Sequence, residues 1–83
     1  PAAPAAASRP AADDPKAAER ERRARITAAT RAARSAFARQ DLVTAIQQWD
    51  LVLELDPGNA PATLERQRAV DLKAKLDQLP KKP

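Results

Sequence analysis

The stretch Gln40-Asp41-Leu42-Val43-Thr44-Ala45-Ile46-Gln47-Gln48-Trp49-Asp50-Leu51-Val52-Leu53-Glu54-Leu55-Asp56-Pro57-Gly58-Asn59-Ala60 decides the fold. Leu42, Ala45, Ile46, Trp49, Val52 and Leu53 follow one another in steps of three, one, three, three and one, which line one face of an α-helix. Asp41 stands just ahead of that face and can cap the helix. The run Asp56-Pro57-Gly58-Asn59 stops it. Pro57 cannot continue the hydrogen-bond ladder, and Gly58 offers backbone freedom to the turn. Asn59 is placed to cap a further helix, in which Leu72, Leu76 and Leu79, backed by Leu64 and Ala69, form a stripe that ends at Pro80.

Upstream of the decisive stretch lies another helix. Asp14 can cap it, with Pro15 at the first helical position, where a missing N–H costs nothing. From Lys16 to Arg39 there is neither Gly nor Pro, and Ala, Arg and Glu dominate, all good helix formers. Ile26, Ala29, Ala33, Ala36 and Phe37 are its apolar face. Residues 16–25 lack such a stripe and are expected to project into solvent. Residues 1–13 alternate Ala with Pro and have nothing to bury, so they are expected to be a disordered linker, as is the tail over 80–83. The expectation is an all-α, three-helix unit over residues 14–79 behind an Ala/Pro-rich N-terminal tether.

Composition agrees with one small unit. The chain has 83 residues, of which 21 are alanine, leaving 15 large apolar side chains. Thirteen of these lie between Leu42 and Leu79, so the core is expected to be C-terminal. There is no Cys and no His, which removes disulfide scaffolds, thiol catalysis, common zinc sites and His-assisted nucleophiles. Asp50, Glu54 and Asp56 have no His and no Gly-rich acidic loop beside them, and they read as a solvated face. We therefore expect no catalysis, no cofactor and no metal. No stretch approaches the roughly 18 apolar residues of a membrane span. The start at Pro1 reads as a fragment or mature segment of a longer protein. The weight of Ala, Arg and Pro resembles a high-GC bacterial sequence, and Ala/Pro tethers resemble those that join a membrane anchor to an envelope domain. The periplasm or cell envelope is the expected location, with the cytoplasm as the alternative.

The formal charge of +4 is unevenly spread. Residues 16–39 hold eight basic side chains against Glu19 and Glu21, a balance of +6, whereas residues 41–56 hold Asp41, Asp50, Glu54 and Asp56 and no base, a balance of −4. Adjacent segments of opposite sign are expected to pair between neighbouring helices.

The order of helix, short break, helix and Leu-Asp-Pro-Gly-Asn-Ala turn resembles the tetratricopeptide repeat family. Ala45 followed by Ile46, Trp49 four residues after Ala45, and Pro57 twelve residues after it match the second half of that repeat. In the first helix, Ala33 stands where the family carries a small residue and Phe37 adjoins its aromatic position, while Gln40 stands where a Gly is usual. The resemblance covers residues 26–59 and implies a helical hairpin. The next helix keeps neither small nor aromatic positions at a shift of 34 residues, where Gln67 and Asp71 stand. Residues 59–79 therefore resemble the solvating helix that ends repeat arrays. Ala33, Phe37, Ala45, Ile46, Trp49, Val52, Leu53, Pro57, Leu72 and Leu76 are the expected structural core.

What the resemblance implies is protein–protein interaction or scaffolding within a larger protein. Arg34 and Arg68 are 34 residues apart and so occupy equivalent places on successive helices, where two guanidinium groups could grip an acidic peptide or a terminal carboxylate. Thr27, Thr30 and Arg31 occupy adjacent turns and complete the candidate peptide-binding set. Thr30 stands where the chaperone-binding members carry a Lys, which argues against a chaperone-tail clamp. The alternative is a basic helical module that contacts nucleic acid or anionic lipid through residues 16–34; the absence of aromatic residues among Arg20, Arg22, Arg23 and Arg25 argues against base stacking there.

Overall fold

A computed structural model describes residues 14–80. The tether expected over 1–13 and the tail beyond Pro80 lie outside the described residues. Among the described residues there are three helices, α1 (Pro15–Ala38), α2 (Leu42–Leu55) and α3 (Ala60–Gln78), and no strand. The unit is all-α, as the sequence predicts. No helix is long and apolar enough to cross a membrane among the described residues.

Each helix begins on the residue that local chemistry selects. The Asp14 carboxylate accepts from the Lys16 N–H at 2.9 Å, Asp41 from the Thr44 N–H at 3.3 Å, and the Asn59 side-chain oxygen from the Ala62 N–H at 2.9 Å. Each cap satisfies one of the N–H groups that a helix start leaves without an intrahelical partner. The Asp41 carboxyl is held below the usual carboxylate range by its hydrogen bonds from Thr44.

The turn between α1 and α2 is a left-handed C-cap. The Asp41 N–H donates to the Ala36 carbonyl at 2.8 Å and the Gln40 N–H to the Phe37 carbonyl at 2.9 Å. That pair of bonds is the Schellman pattern, which needs a left-handed residue just past the helix, usually Gly. Gln40 supplies it with φ of 62°. Gly58 has no positive φ, and a Cβ placed there meets nothing within 4 Å. The backbone freedom expected of Gly58 is thus unused in the second turn, and the strained position is Gln40 in the first.

Alanine sets how α1 packs. Ala29, Ala33 and Ala36 are buried on α1, opposite Leu42, Ala45, Trp49 and Val52 of α2. Trp49 is 2 % exposed and shares a cluster with Ala29 and Ala33 from α1, Val52 from α2 and Ala62 from α3. Small residues bring the helix axes close, and the one indole fills the space they leave. Ile26 and Leu53 are half-buried and pack against this centre, and Phe37, Ile46 and Leu72 are half-buried as well. Both outer helices pack on α2 and hardly on one another.

Two expected core residues lie outside it. Pro57 is exposed, and its part is to end α2 sterically. Leu76 is 40 % exposed, and Leu64 and Leu79 are exposed as well. For Leu76 and Leu79 the cause is length. At about 1.5 Å per residue, the 14 residues of α2 span about 21 Å and the 19 of α3 about 28 Å. With α3 folded back along α2, its last turns run past the first residue of α2. The buried positions on α3 are Ala62 and Ala69 instead.

The charge pattern also resolves differently from the expected pairing of α1 with α2. Glu19 pairs with Arg22 at 2.7 Å and Arg23 at 3.0 Å, and Glu21 with Arg25 at 3.9 Å, all within α1. The acidic side chain of α2 that makes an interhelical ion pair is Asp50, and its partner is Arg66 of α3. Arg22 does cross to α2, but to a carbonyl: its Nη1 donates to Leu55 O at 2.8 Å. That bond anchors a segment expected to stand away in solvent, because the last carbonyls of α2 lack intrahelical donors.

Candidate functional site

The peptide-binding set splits into two parts. Thr27, Arg31 and Arg34 are exposed and Thr30 half-buried along α1, while Arg68 is exposed on α3. The Arg34 guanidinium lies 5.9 Å from the centre of the Trp49 ring, a cation–π distance, and roofs the core. Arg68 pairs with Glu65 of its own helix at 3.3 Å. Each arginine of the expected clamp thus has its own partner, and no contact joins one to the other among the described residues.

A concavity lies elsewhere. A crevice of about 250 Å³ opens between the start of α2 and the end of α3, lined by Gln40, Asp41, Leu42, Val43, Lys73, Leu76 and Asp77. It exists because α3 outruns α2. Leu42 is buried at its base, whereas Val43 and Leu76 are 51 % and 40 % exposed at its sides. Leu79 stands one turn beyond Leu76 and is 57 % exposed. The polar rim includes Lys73, whose Nζ lies 2.8 Å from Asp77 Oδ2. The chemistry on offer is apolar contact flanked by one cation and carboxylates.

A second feature is the cationic side of α1. Lys16, Arg20, Arg23, Arg31 and Arg34 are all exposed. At about 100° per residue they fall within one sector of the helix some 80° wide. Glu19 and Arg22 stand beside it. The Glu19 carboxyl is pulled from 4.5 to about 2, first by its hydrogen bond from Arg22 and then by that from Arg23, and the Arg22 guanidinium is pushed up in return.

Reading by residue type did not find the crevice, since Leu76 was expected in the core and Leu79 in the same stripe. The usable signal was the unequal spacing of the turn residues, which makes α3 longer than the helix it covers. The Arg22 to Leu55 bond joins residues 33 positions apart, and a charged side chain at that distance has no local signature.

No family model matches the chain, and no curated protein and no solved structure matches it either.

Proposed function

We propose that this chain is a non-catalytic protein–protein interaction or scaffolding module of a larger protein, a tetratricopeptide-like hairpin of α1 and α2 closed by α3 as a capping helix. The observation that carries the reading is the crevice at the end of α3. Two exposed large apolar side chains, Val43 and Leu76, line a 250 Å³ hollow, and a third, Leu79, is exposed one turn beyond Leu76, in a protein whose core is otherwise built largely from alanine. The hollow is smaller than the roughly 300–1,000 Å³ of small-molecule pockets, and its size suits one large apolar side chain of a partner helix or peptide. The left-handed turn at Gln40 supports the family resemblance, because the resemblance places a glycine at that position. The Ala/Pro composition of residues 1–13 supports a tethered domain of the bacterial cell envelope.

Site-specific photocrosslinking in the cell that makes the protein tests this reading. A benzophenone side chain replacing Val43 or Leu79 should yield a covalent adduct with another polypeptide, whose mass identifies it. The same group replacing Gln67, on the polar face of α3, should yield none. Absence of adducts from positions 43 and 79, or equal adducts from 67, overturns the proposal.

A further inference from the structure

We propose a second, independent surface: the cationic side of α1 binds the phosphate backbone of duplex nucleic acid without reading its sequence. Lys16, Arg20, Arg23, Arg31 and Arg34 follow one another at intervals of four, three, eight and three residues, with exposed Thr27 between. From Lys16 to Arg34 the row extends about 27 Å at 1.5 Å per residue. Glu19 engages Arg23, and Trp49 lies under Arg34. The side chains of Lys16, Arg20 and Arg31 make no ion pair among the described residues. Three unneutralised cations on a rigid rod remain.

The surroundings select the ligand. Among the described residues the exposed large apolar side chains are Val43, Leu51, Leu64, Leu76 and Leu79, all on α2, on α3 or at the C-cap of α3. The row on α1 therefore has nothing to insert into a bilayer, as interfacial helices do, and no apolar anchor for a peptide. The two aromatic side chains are Trp49, 2 % exposed, and Phe37, half-buried, so unpaired bases have no ring to stack on. What fits a row of exposed guanidinium groups lacking both features is the closely spaced phosphates of a duplex, held by charge and released counterions.

The test is fluorescence anisotropy of the 83-residue chain with two labelled 20-base-pair DNA duplexes of unrelated sequence, over a series of salt concentrations. With three unpaired cations each meeting one phosphate, log K against log salt should fall with a slope of about −2.7, alike for both duplexes. The variant R20A/R31A should bring the slope to about −0.9. The variant R25A/R39A removes the same net charge from the other side of α1 and should leave the slope near the parent value. Circular dichroism confirms that both remain helical. Equal losses in the two variants would show attraction to overall charge alone and overturn the proposal. So would binding that ignores salt, or vesicles of phosphatidylserine that bind the parent and compete the duplex away.

Discussion

Replacing Gln40 by glycine is expected to stabilise the protein, although it removes a side chain from an ordered turn. Gln40 is held at φ of 62° by the two bonds that close α1, from its own N–H and from that of Asp41. A left-handed backbone costs a residue with a Cβ about 1–2 kcal/mol, a cost glycine does not carry. Glycine loosens the unfolded chain, which takes back about 0.4–1 kcal/mol. Taking the middle of each range, the net gain is about 0.5–1 kcal/mol. In a domain of this size each kcal/mol moves the midpoint by about 4–8 °C, so thermal unfolding followed by far-UV circular dichroism should show a rise of about 2–8 °C. Gly58→Ala is the mirror experiment. With no positive φ and open space around its Cβ position, it should gain about 0.4–1 kcal/mol through the unfolded state alone. The two turns lie at opposite ends of α2, so the gains should add in the double variant. Gln40→Ala is the control that separates backbone from side chain, since alanine keeps the left-handed strain. A midpoint that falls with Gln40→Gly, or rises as much with Gln40→Ala, would show that the left-handed backbone at Gln40 carries no strain.

Two further outcomes follow from the core and from the N-terminal half of α1. Trp49→Ala should cost about 3–5 kcal/mol, near the whole stability of so small a unit, because Ala29, Ala33 and Ala62 cannot move in to fill the void; guanidinium unfolding reads it, and a midpoint close to the parent's would place the indole outside the core. Glu19 has a folded pKa of about 2 against 4.5, a depressed value, so what it contributes is fully present above pH 4.5 and is lost as pH falls from there toward 2. Amide exchange over that window should show protection declining first around residues 18–23, while α2 holds; a uniform decline along the chain would contradict the local pairing.

How much of this was legible in the sequence depended on how local each determinant is. The three caps were legible because each joins a side chain to a backbone N–H two or three residues on, and Asp14, Asp41 and Asn59 each precede a helical run. The packing of α1 on α2 was legible because Ala29, Ala33, Ala45, Trp49 and Val52 obey one period on each helix. The face of α3 was not. Leu72, Leu76 and Leu79 have the spacing of a buried stripe, but only Leu72 is half-buried; burial of Leu76 and Leu79 requires a neighbour at their height, and α2 has ended. Nor was the strained residue, since composition points to the single glycine while the hydrogen bonds of the first turn point to Gln40. The candidate clamp of Arg34 and Arg68 rested on a 34-residue register; the structure gives Arg34 to Trp49 and Arg68 to Glu65, contacts set by packing rather than by register.

Unequal helix length connects these results to function. The 24 residues of α1 and the 19 of α3 both exceed the 14 of α2 on which they pack, and they overrun it at opposite ends. The overrun of α1 carries arginine and is steadied by Arg22 on Leu55 O, whereas that of α3 carries leucine and leaves a crevice. The difference follows from how each helix meets the core. Alanine lines the packing face of α1, so its close approach to α2 needs few large apolar residues, and most of its long side chains are cations. On α3 the packing face is again alanine, at Ala62 and Ala69, but leucine continues along the helix after its support has ended. One short central helix thus separates a charged surface from an apolar one. A change at either end should leave the other's binding intact.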